Sequence, residues 1–243
     1  MKIQQLPRDR MRRHAARWHD TKMSGRTYCL TPGQALPGNV SLPDALGKLI
    51  GDCQTGAFLF WSAAQAHLVV PPFPVSRSAE YDGWHAGPLQ SLLDRPRTIA
   101  VLLLRLGGMA AGVFEGERLI ASKVGTRFVK GRHKKGGSSA GRFARRREGQ
   151  ARALFDKASD TFREVVEPHR SRLEHVILGG DRHTLQDFEK RCPHLATYAP
   201  IRLRRVLNVP DPRLKVLESV SRLLYASQVA TFRPGLESGQ GTP

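Results

Sequence analysis

Acid is what this chain is short of. Its 39 Lys and Arg outnumber 21 Asp and Glu, leaving a formal net charge of +18. A charge of that size speaks of partners rather than fold. A polyphosphate surface, bound through counterion release, is the first candidate partner, and an anionic membrane the second. Cysteine is scarce as well. Cys29, Cys53 and Cys192 are far apart and form no C-x-x-C, which excludes the usual zinc and disulfide frameworks. The odd count fits a reducing cytoplasm. Long apolar runs are missing: the longest, residues 99–104, is strand-sized, so no transmembrane helix is expected. The Arg-rich start, MKIQQLPRDRMRRHAARWHDTK, lacks a following apolar core and does not read as a secretory signal. A transit peptide and a mobile basic arm remain; the arm is the reading preferred, with a short helix expected around residues 9–19.

What is present begins with a small α/β region. Residues 42–50 place Leu42, Leu46, Leu49 and Ile50 on one helical face, with Ser41 as N-cap and Gly51 as stop. Residues 57–61 and 67–70 read as strands. Residues 76–96, rich in Gly, Ser, Asp and Pro, form a connector with a short helix at 87–93. Trp84 and His85 within it are an anchor of the connector or a contact point.

From Arg97 the pattern sharpens. Residues 98–106 (TIAVLLLRL) are nearly all apolar, as in a strand buried on both faces. Residues 109–115 and 118–124 follow after tight Gly turns, which predicts an antiparallel meander. A helix is expected over about 140–166, where Ala151, Leu154, Phe155, Ala158, Phe162, Val165 and Val166 recur at helical spacing. A strand at 173–178 and a helix at 181–191, capped by Asp181 or Thr184, come next. The tail adds a short strand at 201–207 and a helix at 212–226. The order β-β-β-α-β-α is that of a ribonuclease-H-like mixed sheet, although other three-layer α/β folds share it. The expected organisation is a basic arm (1–26), the small α/β region and linker (27–96), the ribonuclease-H-like domain (97–195), a strand/helix extension (196–232) and a disordered tail (233–243).

The segment between meander and long helix, KGRHKKGGSSAGRFARRREGQ, carries the densest charge. Lys130, Arg132, Lys134, Lys135, Arg142, Arg145, Arg146 and Arg147 are joined by His133, with no acid before Glu148. Burying so many charges without partners costs too much, so the segment is expected to project and meet an anion. Gly136 and Gly137 permit close backbone approach to a ligand. The following helix N-terminus offers free N–H donors to a phosphate or a developing oxyanion. Its arginines sit where cations disfavour the helix, a conflict that makes sense at an anion site. Contact with phosphates gives no sequence specificity by itself.

A metal nuclease is disfavoured. It needs clustered carboxylates, and the first strand is apolar until Arg105; Glu115 and Glu117 lie at a turn and Asp181 follows a later strand. His169, His175, His183 and His194 are scattered. A P-loop fails on spacing, because Gly-Gly-Ser-Ser follows a Lys instead of preceding one. No cofactor is expected.

Taken in order, residues 112–123 (GVFEGERLIASK), 134–139 (KKGGSS), 142–147 (RFARRR) with Gln150, 179–181 (GGD) and 209–213 (VPDPR) resemble the bacterial branch of the Vms-like release factors. These are relatives of the middle domain of eukaryotic and archaeal peptide release factors. The resemblance covers about residues 97–224. It implies a ribonuclease-H-like domain without metal chemistry. Its loop enters the peptidyl-transferase centre of the large ribosomal subunit, meets the tRNA acceptor end and hydrolyses the peptidyl-tRNA ester. Cleavage of the tRNA 3′ end is also described in the eukaryotic branch. By this resemblance Gly136, Gly137, Ser138 and Ser139 are the catalytic candidates, and Lys130, Arg132, His133, Lys134, Lys135, Arg142, Arg145, Arg146 and Arg147 the RNA-binding ones.

One departure matters. The family loop places Gln shortly after the Gly pair, where its backbone N–H and side chain position water and stabilise charge. Here Ser138, Ser139, Ala140 and Gly141 follow, and the next Gln is Gln150. A backbone N–H from Ser138 or Ser139 survives the change; the oriented amide does not. His133 is the one nearby candidate for a titrating base. Three readings result: a cytoplasmic peptidyl-tRNA hydrolase acting in ribosome rescue, a ribosome- or tRNA-binding factor without hydrolysis, and a general nucleic-acid-binding protein. The ordered motifs disfavour the third.

Overall fold

The computed structural model describes residues 1–20, 24–38, 40–51, 53–126 and 140–234. Along the chain run β1 (Lys2–Leu6), α1 (Arg8–Asp20), β2 (Arg26–Leu30), α2 (Asp44–Gly51), β3 (Ala57–Trp61), β4 (Ala66–Val70), β5 (Ala79–Asp82) and α3 (Gly87–Asp94). Then come β6 (Thr98–Arg105), β7 (Gly108–Glu115), β8 (Arg118–Thr126), α4 (Ala140–Val166), β9 (His175–Gly180), α5 (Arg182–Arg191) and α6 (Pro193–Ala196). The chain closes with β10 (Arg202–Leu207), α7 (Leu214–Ser219), α8 (Ser221–Leu224) and β11 (Ser227–Phe232). No helix among the described residues is long and apolar enough to cross a membrane. Two compact units result: Met1–Arg95 with the C-terminal segment from Arg222, and Pro96–Ser221.

The first unit is a six-stranded sheet in the order β1-β11-β4-β3-β2-β5, antiparallel throughout. Side-chain alternation along β3 sends Phe58 and Phe60 to one face and Ala57 and Leu59 to the other. Met11, Ala15 and Trp18 of α1 and Leu89 and Leu93 of α3 cover the first face. Leu46 of α2 covers the second, among Leu30, Leu59 and Leu68. The expected N-terminal arm therefore supplies an edge strand and a packed helix. The connector at 76–96 contains the expected helix as α3 and also an unexpected strand, β5; its Trp84 is buried, its ring 6.1 Å from that of Trp18. The expected cap Ser41 lies before the start of α2, whose first backbone bonds run from Leu46 and Gly47 N–H to the Pro43 carbonyl at 2.8 and 3.1 Å.

The second unit is a five-stranded sheet in the order β10-β9-β6-β7-β8. β6 pairs antiparallel with β7, and β7 with β8; β9 runs parallel to β6, and β10 parallel to β9. With α4 joining β8 to β9 and α5 joining β9 to β10, this is the ribonuclease-H-like arrangement. Six successive residues of β6 are fully buried, in keeping with its central place. Ala100, Leu102 and Leu104 of β6 meet Leu154, Phe155, Ala158 and Phe162 of α4 and Leu185 and Phe188 of α5. The reverse face receives α7, with Leu217 against Gly112. The helix expected at 212–226 is broken into α7 and α8. Leu214, expected to pack inward, is 47% exposed, and residues 227–232, the end of the expected strand/helix extension, pair as β11 with β1 and β4. Of the tail at 233–243, residues 235–243 lie outside the described set.

Candidate nucleic-acid interface

β8 is the edge strand of the second sheet, and its last residue, Thr126, leads into residues 127–139. The chain re-enters at Ala140, the first residue of α4. The two elements are tied at their packed ends. Lys123 of β8 donates to Glu164 of α4 at 2.6 Å. A Cβ built on Gly125 would meet Met109 Cε at 2.7 Å and Lys157 Cε at 3.4 Å, so α4 lies closely along the strand there.

The N-terminal part of α4 is different. The helix has 27 residues, about 40 Å at 1.5 Å per residue. Its apolar stripe starts to bury at Leu154; no described side chain between Arg142 and Ala153 is buried. At Gly149 nothing lies within 4 Å of an added Cβ. Arg142, Arg145 and Arg146 are all exposed. At about 100° per residue they share the face opposite Leu154 and Ala158. Arg147 falls on the core-side line instead and is half-buried. Its Nε is shielded without a hydrogen-bond partner among the described residues. The first turn contains no acid to offset these cations.

The catalytic candidates Gly136, Gly137, Ser138 and Ser139 lie outside the described residues, as do Lys130, Arg132, His133, Lys134 and Lys135. The structure thus places Arg142, Arg145 and Arg146 together on one face and sets Arg147 apart. Gln150 stands ten residues along α4 from Ala140, about 15 Å.

The acids are dispersed. Glu115 pairs across from Thr98 at one end of β6, with Arg118 2.9 Å away. Asp181 sits at the other end, its amide bonded to the Leu104 carbonyl at 3.3 Å. Six strand residues separate the two positions, about 20 Å, whereas paired catalytic metals stand about 4 Å apart. Among the described residues no three of His, Cys, Asp and Glu gather in a metal-holding group. Asp181 caps α5: its carboxylate accepts from Thr184 N at 2.8 Å and Thr184 Oγ1 at 2.7 Å. Those bonds, first of all the one from the hydroxyl, hold its pKa below the ordinary value. Cys192 is buried, 3.1 Å from Ser159 Oγ.

Glycine explains why the GGD stretch is built as it is. Gly180 has φ +123°, and a Cβ there would lie 2.0 Å from the Leu104 carbonyl oxygen. On Gly179 a Cβ would come 2.7 Å from Leu103 Cδ2. Both positions serve close packing of β9 on β6.

Residues 97–230 match a family model described as the Actinobacteria/chloroflexi VLRF1 release factor. Peptide chain release factor subunit 1 of Methanopyrus kandleri is 30% identical over 147 residues, 60% of this chain and 35% of that protein. Its counterpart in Archaeoglobus fulgidus is 25% identical over 123 residues, 50% of this chain and 30% of that protein. The chain thus spans about a third of the length of these relatives. A solved archaeal translation termination factor, aRF1, aligns with a TM-score of 0.42 and 15% identity over 90% of this chain and 73% of that one. Since the family model takes in more than half of the 243 residues, the chain belongs to the VLRF1 release factor family of Actinobacteria and Chloroflexi.

Proposed function

We propose that this protein is a cytoplasmic, ribosome-associated release factor that frees the nascent chain by hydrolysing the peptidyl-tRNA ester. The observation that carries the reading is the unburied N-terminal part of a 27-residue helix, whose exposed face bears Arg142, Arg145 and Arg146 shortly after Gly136 and Gly137 in sequence. In this reading the arginines grip the phosphates of the tRNA acceptor end on the large subunit. The Gly136–Gly137 backbone approaches the ester, and N–H groups of Ser138 or Ser139 face the developing oxyanion. Water is the nucleophile and the tRNA 3′ hydroxyl the leaving group. Neither metal nor cofactor enters.

A second reading, binding without hydrolysis, is favoured by one observation: Gln150 stands about 15 Å along α4 from Ala140. Large subunits carrying peptidyl-tRNA decide between the two. Release that Gly136→Ala abolishes supports hydrolysis; salt-sensitive co-sedimentation without release above the buffer rate supports binding alone. Equal affinity for duplex DNA and ribosomes removes both.

A further inference from the structure

α1 carries five arginines in 13 residues, and the structure sorts them into two groups. Arg8 and Arg12 face α3: the Arg8 guanidinium donates to the Asp94 carbonyl at 3.2 Å and lies 5.0 Å from the Tyr225 ring centre, and Arg12 Nε is 3.0 Å from the Asp94 carboxylate. These two help to hold the first unit together. Arg10, Arg13 and Arg17 are exposed and stand at i, i+3 and i+7, one stripe on the side of α1 turned away from the sheet. Asp9, in the first turn and four residues before Arg13, offsets part of the repulsion among these cations and leaves the side predominantly positive.

We infer that the Arg10–Arg13–Arg17 face of α1 is a second RNA-contacting surface, one that takes backbone phosphates independently of α4. The inference goes beyond the release reading, since α1 lies outside the region matched by the family model. Charge and spacing fit a phosphate track, where each neutralised phosphate releases counterions. The packing favours RNA over a membrane. A basic amphipathic helix binds bilayers by burying its apolar face, but Met11 and Ala15 are 0% exposed and Trp18 7%, all committed to the sheet. Only the charged side is offered.

The test uses the full chain and a fluorescein-labelled stem-loop RNA, with anisotropy read across a KCl series. Replacing Arg10, Arg13 and Arg17 together by Gln is expected to weaken binding at least about 10-fold at low salt. It should also reduce the slope of log K against log salt by about 2 to 3. The corresponding Lys triple keeps the slope. Parental affinity and slope in the Gln triple overturn the inference, as does a slope change confined to an Arg142, Arg145 and Arg146 variant. Should the Gln triple misfold, arginine modification by phenylglyoxal on the parent protein decides: protection of these three by RNA supports the surface, and unchanged modification at saturating RNA overturns it. Tighter binding to phosphatidylserine vesicles than to RNA also overturns it. Peptide release is measured separately, so its failure leaves this outcome readable.

Discussion

Lys123 Nζ lies 2.6 and 2.8 Å from the two carboxylate oxygens of Glu164, linking the edge strand of the second sheet to a helix residue 41 positions later. The pair closes the packed end of β8 on α4. Both side chains are about half exposed, at 48% and 62%, so water screens the attraction. Lys123→Glu is expected to cost about 0.5–1 kcal/mol in urea unfolding with an unchanged m-value. The swap Lys123→Glu with Glu164→Lys should recover most of it. A loss above about 2 kcal/mol would show that the pair holds more than itself.

The glycines of the GGD stretch are the reverse case, where little change is tolerated. Gly180→Ala places a methyl 2.0 Å from a backbone oxygen at φ +123°. A loss of more than about 2 kcal/mol, or failure to fold, is expected. Asp181→Ala removes the α5 cap and should cost about 1 kcal/mol. Thermal unfolding ranks the two; equal small effects would contradict the packing described.

His67 gives the first unit an acid limit. It is buried, stacked on Trp18 at 4.6 Å, with Gln65 Nε2 donating to Nε2 at 2.8 Å and Nδ1 donating to Thr231 Oγ1 at 2.9 Å. Burial, with a smaller repulsion from His14, lowers its pKa from 6.5 to about 4. The unfolded chain therefore takes up this proton more readily than the folded one. Stability from neutral His67 is fully present above about pH 6.5 and is lost as pH falls toward 4, up to about 3 kcal/mol. Urea midpoints at pH 7.5, 6 and 5 should fall in that order. In His67→Gln the fall should be shallower, from a lower start at pH 7.5.

Sequence periodicity carried the second unit because its information is local. The apolar run of β6 marks a central strand, the Gly turns mark the meander, and the inward stripe from Ala151 to Val166 marks α4. The first unit was harder to read because its sheet closes through partners at opposite ends of the chain. β1 pairs with β11, Lys2 opposite Thr231, and nothing in KIQQL or SQVATF alone announces the other. Met11, Ala15 and Trp18 did contain a packing signal at i, i+4 and i+7, hidden among five arginines. At the interface, sequence brought Arg142, Arg145, Arg146 and Arg147 together as one group. Helical phase separates Arg147, which falls on the core-side line of α4.

That separation predicts unequal behaviour. Replacing Arg142, Arg145 and Arg146 by Gln should weaken stem-loop RNA binding and lower the salt slope by about 2 to 3. Each of the three single variants should lower the slope by about 0.7–0.9, whereas Arg147→Gln should change it by less than about 0.3, because its half-buried position is turned from the exposed face. Equal slope changes for all four single variants would place Arg147 on the same contact.

The last prediction concerns Ser138, which stands where the resemblance to release factors leads one to expect Gln nearby. If hydrolysis proceeds with backbone donors alone, the step lacks an oriented amide for water and charge. Such a group is worth about 10²–10³ in rate where it has been removed elsewhere. Ser138→Gln should therefore raise single-turnover peptide release from large subunits by at least about 10-fold, with RNA affinity unchanged because no cation is altered. Ser138→Ala should leave the parental rate nearly intact if only the backbone N–H acts. A parental rate that Ser138→Ala abolishes would instead make the hydroxyl itself the water-positioning group. An unchanged low rate in Ser138→Gln would place the limitation elsewhere, in how the 127–139 segment approaches the ester.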